Sequence, residues 1–202
     1  VAYEPTVNKR KLQYQQTLEN IRNAVDKLVA EKGFESMTIR DICKESGIKA
    51  GGFYHHFDSK DALLFDRYHR MNQYFTALYK SDLQGKDSVE GLLLLSSVFF
   101  AYLKSRVLSI MIQYNKTYVA NQKAWEEKEP NACFMVICRL MEEGQKNNEI
   151  KKDFKAKDLS CFLWSLIQGA TRSYCASEGT FLEESNLEYM IQVWIRSLRV
   201  EG

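Results

Sequence analysis

Apolar residues recur three and four positions apart along almost the whole chain, and strict alternation is nearly absent. That period puts them on one face of a helix rather than a strand. Over residues 13–32 the stripe is Ile21, Ala24, Val25, Leu28 and Val29, and Gly33 closes it. Thr38 followed three positions later by Asp41 reads as a helix start, the two side chains bonding each other's backbone. Ile39 and Ile42 then face one way and Arg40, Asp41, Lys44 and Glu45 the other, until Ser46-Gly47 stops the helix cheaply in the left-handed region. Ile48, Phe53 and Phe57 carry the apolar face onward. Two short helices joined by a tight Gly-containing turn make a helix-turn-helix.

Asp58 or Ser59 opens the next helix, which runs to about residue 83 with Leu63, Leu64, Tyr68, Met71, Phe75, Leu78 and Tyr79 on its face. No glycine or proline interrupts it, so at about 1.5 Å per residue it forms a rod of roughly 35 Å. This rod leaves the helix-turn-helix unit and enters the rest of the chain, as a lever would. Gly85 breaks the pattern and Asp87 restarts it; residues 87–106 are apolar nearly all round, hence central. One or two helices with a break near Ser105 cover 107–127, Pro130 punctuates, and further helices are expected over 131–146, 157–177 and 183–199. The fold class expected is all-α, with an N-terminal arm and three-helix helix-turn-helix domain over 1–60 and a larger helical domain over 61–202.

Composition changes this picture little. Net charge is +2, and the excess of cations lies in the first 70 residues together with all three histidines. Affinity for nucleic acid must therefore come from where cations are placed. Residues 1–12 are polar and include Lys9, Arg10 and Lys11, either a solvated tail or a basic arm for DNA backbone or minor groove. The longest uncharged run, from Gly91 to Leu103, is 13 residues, short of the roughly 18 that suggest a spanning helix. A soluble chain with no membrane association is expected. The five cysteines form no C-x-x-C pair and no signal-peptide pattern precedes them, which fits free thiols in a reducing cytoplasm. A start at Val1 rather than Met reads as a processed or trimmed terminus.

The second helix of the motif is chemically odd. Its first turn, Ala50-Gly51-Gly52, has almost no side-chain bulk, although glycine inside a helix costs roughly 1 kcal/mol. Close approach of backbone to another surface is one reason to tolerate that cost. Lys49, Tyr54 and His55 beside it suit phosphate oxygens, as in a recognition helix entering a major groove by its N-terminal end.

The run T-I-R-D-I-C-K-E-S-G-I, followed by G-x-F-Y-H-H-F-x-S-K-D-A-L-L, resembles the DNA-binding segment of the TetR (tetracycline-repressor-like) family of transcriptional regulators. The resemblance extends from the preceding helix to Leu64; beyond it the chain is similar to the family only in size and helical character. It implies a homodimer that places Lys49 to His55 in the major groove of a palindromic double-stranded DNA operator and answers to a small-molecule effector. The DNA contacts implied are Thr38, Arg40, Lys49, Ala50, Gly51, Gly52, Tyr54, His55 and Lys60. Thr38, Tyr54, His55 and Lys60 fall to phosphates and Lys49 to a base edge such as guanine O6/N7. Many members carry a Thr-like side chain in place of Gly52 and Ser in place of Lys49, so base preference does not transfer.

Pairing across a two-fold axis is expected from the last two helices through Phe162, Leu166, Gly169, Leu187, Ile191 and Trp194, with Gly169-Ala170 allowing close approach. Aromatic and sulfur-bearing residues beyond the motif suit a mostly apolar effector cavity. Its expected lining is Phe99, Tyr102, Met111, Tyr114, Tyr118, Phe134, Trp164 and Gln168, with Gln113, Asn115 and Arg172 as further polar groups.

Other chemistries find less in the sequence. His55 and His56 are adjacent, so on a helix they diverge by about 100°, and His69 lies on another helix; no metal site or cofactor is expected. No Ser-His-Asp or Cys-His arrangement and no phosphate-cradling loop is legible, so no enzyme is expected. The alternatives are a redox-responsive regulator using cysteine thiols, with Cys161 and Cys175 near one helix face, or a helical protein-interaction module.

Overall fold

Two left-handed glycines shape the start of the chain. In the computed structural model, which describes residues 9–184 and 186–201, helix α1 is assigned over Lys9–Ser36 and turns sharply at Gly33 (φ 78°). Helix α2 (Ile39–Ser46) begins on a complete capping box. Thr38 accepts from the Asp41 backbone, and the Asp41 carboxylate accepts from both the Thr38 backbone and its hydroxyl at 2.9 and 2.7 Å. Lys32 lies 2.6 Å from that carboxylate, and these bonds hold its pKa well below the usual range. Gly47 (φ 71°) closes α2, and Lys49 starts the short helix α3 (Ala50–Tyr54). Ile21, Val25, Leu28, Ile42, Phe53 and Phe57 form the core beneath these helices.

Two expectations are corrected here. The polar tail or basic arm expected over 1–12 is helical from Lys9, so Lys9, Arg10 and Lys11 form the first turn of α1; residues 1–8 of that expectation lie outside the described residues. The helix expected to run unbroken to residue 83 is α-helical over Ala62–Leu78 (α4) and then widens into a π-helical turn over Tyr79–Leu83. Ser59 supplies its N-terminal bond, its hydroxyl accepting from Ala62 at 3.2 Å.

The chain divides into two compact units, residues 1–64 and 65–202, the division falling in the first turn of α4. In the second unit, α5 (Ser88–Lys104) is capped by Asp87, α6 (Leu108–Lys128) follows a break at residues 105–107, and α7 (Ala132–Lys146) is capped by Asn131. Helix α8 spans Ala156–Ala176. The last helix, expected from residue 183, is instead a short α9 (Phe181–Glu184) and a separate α10 (Leu187–Ser197). Helix α10 lies along α5, where Gln192 donates to Ser97 at 3.0 Å. Just beyond α10, Arg199 grips Asp87 through both guanidinium nitrogens at 2.8 and 3.1 Å. Tertiary packing, not a longer periodic run, thus decides where this end of the chain stops being helical.

α5 and α7 can cross closely because two small residues lie in the contact. A Cβ on Gly91 would meet Leu140 at 3.1 Å, and one on Gly144 would meet Ile150 at 2.6 Å and Ser88 at 2.9 Å. Gly144→Ala is therefore expected to overpack this crossing and cost about 1–3 kcal/mol. A lowered denaturant midpoint with unchanged helix content at low denaturant is the check.

Candidate nucleic-acid interface and effector cavity

In α3, burial of Phe53 anchors the helix, and the opposite side is left to solvent. Lys49, Ala50, Gly51, Tyr54 and His55 are exposed and Gly52 is half-buried. A Cβ on Gly51 would meet nothing within 4 Å, and Gly51 does not lie at positive φ. Neither packing nor backbone conformation within the subunit requires glycine there. Thr38 and Arg40 are exposed on the neighbouring helix start, though the Thr38 hydroxyl is already spent on Asp41. Lys60 is drawn inward instead. Its ammonium donates to the carbonyls of Phe34 and Glu35 at 3.1 and 3.2 Å and lies 4.8 Å from the Phe34 ring, so it secures the end of α1.

Sequence reasoning missed the role of Tyr14. Its ring lies 4.2 Å from that of His56 and 5.8 Å from that of His55, bringing the first turns of α1 beside α3. Arg10, Lys11, Gly52 and His55 line the resulting groove of about 490 Å³. His56 packs rather than reaching out; burial, and then electrostatic opposition from His55 and Arg22, lowers its pKa. Among the described residues no cluster of three metal-ligating side chains occurs.

In the second unit, seven of the eight expected cavity residues come together: Phe99, Tyr102, Met111, Tyr114, Tyr118, Trp164 and Gln168. Asn115 joins them, as do Met71, Leu103, Asn131 and Thr171, which the helical stripe or the punctuation at Pro130 had hidden. Phe134 does not line the space; its ring rests 5.9 Å from that of Trp164, behind the wall. Gln113 and Arg172 are likewise outside the lining. The cavity is small, with a volume of about 30 Å³. Tyr114 and Tyr118 stack at 5.8 Å, and burial pushes both phenols up.

On α8 and α10, Phe162 and Gly169 are exposed, Leu166, Leu187 and Trp194 are half-buried, and the Phe162 and Trp194 rings lie 4.9 Å apart. Ile191 is 1% exposed and belongs to the core of its own subunit, so it drops out of the expected pairing face. Tyr189, Met190 and Val193 are exposed beside it, a signal the apolar stripe alone could not resolve into faces. A Cβ on Gly169 would meet nothing within 4 Å. The cysteine pair also separates: Cys161 is exposed, whereas Cys175 is buried and burial pushes its thiol up to about 11.

Residues 21–66 match the family model described as bacterial regulatory proteins, tetR family. The chain thus carries a TetR-family DNA-binding segment. It is 29% identical to an uncharacterized HTH-type transcriptional regulator of Haemophilus influenzae over 123 residues, 60% of this chain and 59% of that one. It is 44% identical to the regulator UidR of Escherichia coli over 50 residues, 25% of this chain and 26% of that one. Those two alignments thus span less than two thirds of either relative. With the transcriptional repressor KstR2 of Rhodococcus jostii it shares 28% identity over 152 residues, 73% of this chain and 74% of that one. Among solved structures, FadR from Bacillus subtilis in complex with stearoyl-CoA matches with a TM-score of 0.70 at 15% identity, over 90% of this chain and 97% of that one. A TetR regulator from Haloarcula marismortui matches with a TM-score of 0.70 at 18% identity, over 92% and 96%. These likenesses show the all-α fold of TetR-family regulators.

Gly51→Ala separates folding from function within this TetR-family motif. The variant is expected to fold as stably as the parent or up to about 1 kcal/mol more so. Its affinity for DNA selected by the parent protein should fall about tenfold or more, on the scale of a lost base contact. Thermal melting and a mobility-shift titration check the two halves separately.

Proposed function

We propose that the chain is a transcriptional repressor that binds a palindromic operator as a homodimer and is released by a small, mostly apolar effector. The observation that carries this reading is the bare start of α3: glycine where the subunit itself has no use for it, exposed and flanked by Lys49, Tyr54 and His55. Backbone that approaches a duplex closely, with phosphate contacts fixing the register, accounts for that choice. Lys49 is the base-reading candidate, with Tyr54 and His55 on phosphates and Thr38 and Arg40 flanking them. Lys60 is left out of the DNA contacts because its ammonium is held inward at the Phe34 and Glu35 carbonyls. The likeness to KstR2, named a transcriptional repressor, supports repression.

Pairing through α8 and α10 is supported by the exposed apolar set Phe162, Tyr189, Met190 and Val193 and by the open space over Gly169. Effector control is supported by Met71, which lines the cavity from α4, the helix whose first turn carries the buried Leu63 and Leu64 of the first unit. Converting a 1:99 equilibrium to 99:1 takes about 5.5 kcal/mol of differential binding. Burial of one aromatic side chain's worth of area supplies about 1.5–3 kcal/mol, so each subunit of a dimer would contribute part of that difference.

Fragments retained by the protein from its source genome provide the operator for the test. Lys49→Ala is expected to relax base preference at one position, and Tyr54→Phe to weaken all sequences alike by a few-fold; equal loss at every position for both would refute this division. Val193→Glu is expected to leave the subunit folded and to yield monomers in sedimentation at micromolar concentration. The same variant should lose cooperative binding to two half-sites.

A further inference from the structure

We infer that the cavity beside α4 takes an uncharged aromatic molecule carrying a hydrogen-bond-accepting carbonyl oxygen, received by the Tyr114 hydroxyl. This rests on the reading of that cavity as the effector site and adds the chemistry of the ligand. Three observations lead to it.

The first is charge. Among the described residues, no Asp, Glu, Lys or Arg lines the space. A carboxylate or phosphate entering it would lose its water without gaining a cation on the wall, and an unpaired charge is costly to bury. Arg67 is buried near enough to Tyr114 to favour the ionised phenol slightly, but it already has partners and does not reach the lining. The second is the donor. Tyr114 is 6% exposed and its hydroxyl points to the Met71 sulfur at 4.0 Å, a weak acceptor on the same wall. Burial keeps this phenol protonated, so it is a donor in need of an acceptor. The third is the pair of amides, Asn115 and Gln168. Both line the cavity, and neither spends a hydrogen bond on another described residue.

Size fits a site that opens on binding. About 30 Å³ holds little more than a water or two, so a ring must displace part of the wall. Met71 and Met111 are the side chains best able to give way, being unbranched and soft. Moving Met71 frees the Tyr114 hydroxyl at the same moment, so a carbonyl oxygen can replace the sulfur as the ring enters.

The test uses the full-length protein and three matched probes: 2-acetylnaphthalene, 2-ethylnaphthalene and 2-naphthoate. Binding is followed by quenching of tryptophan fluorescence, since Trp164 lines the cavity, and by calorimetry. The ketone is expected to bind about tenfold tighter than either of the others, the scale of one well-made buried hydrogen bond. Tyr114→Phe is expected to abolish that advantage while leaving 2-ethylnaphthalene binding unchanged, which also shows that the variant is folded. Should Tyr114→Phe fail to fold, Gln168→Leu supplies the second measurement, with a smaller loss confined to the ketone. Tighter binding of naphthoate, a ketone advantage that survives Tyr114→Phe, or no binding of any probe overturns the inference. Ketone binding that leaves operator affinity unaltered supports the pocket chemistry and refutes the effector reading on which it rests.

Discussion

The second unit is held around one buried amide. Asn72 is 2% exposed on α4, and both ends of its side chain are in use: Nδ2 donates to the Pro130 carbonyl at 3.2 Å and Oδ1 accepts from the Ala132 backbone at 2.9 Å. Tyr68, one turn earlier, donates to the Glu129 carbonyl at 2.8 Å. The corner between α6 and α7 would otherwise leave these backbone groups unsatisfied in an apolar interior, which costs about 1–3 kcal/mol for each. Helix α4 supplies what the corner lacks, so the two form one mechanical element. His69 and Gln73 extend the tie outward, His69 meeting the Glu129 carboxylate at 2.7 Å and Gln73 at 2.8 Å. The aromatic wall of the cavity grows from this anchor, since Tyr68 stacks on Tyr118 and Tyr118 on Tyr114.

Glycines divide the protein by what fills the space above them. Gly91 and Gly144 are small because α5 and α7 press against them within the subunit. A Cβ on Gly51 or Gly169 would meet nothing within 4 Å among the described residues. Folding explains the first pair and does not explain the second. The proposed DNA face and the proposed pairing face each hold one member of that second pair, which gives the two proposals a common physical basis.

The helix-turn-helix was readable in the sequence because its signals are local. Thr38 and Asp41 cap, Gly47 turns, and Phe53 and Phe57 anchor, all within twenty residues. The cavity was legible in large part because bulky aromatics on several amphipathic helices must meet somewhere, and seven of the eight named side chains do so. What escaped depends on long-range geometry. A helical stripe says which residues are apolar but not which of two neighbours turns inward, so Ile191 is expected on the pairing face although it is buried, and the exposed Tyr189 and Val193 escape notice. Lys60 matches a phosphate-contact position in the sequence, but only the fold brings the carbonyls of residues 34 and 35 within its reach. The wide turn at Tyr79–Leu83 leaves no local signature at all, because its sequence is that of an ordinary helix.

The cysteines give the molecule a practical property. Cys43, Cys133 and Cys175 are buried and Cys138 is partly so, and burial raises the pKa of all four thiols. Cys161 is exposed on α8, next to Phe162. Only ionised, accessible sulfur reacts readily with alkylating reagents. A spectroscopic label applied briefly at neutral pH to unpaired subunits therefore goes to this one helix, and pairing through that surface would slow the reaction.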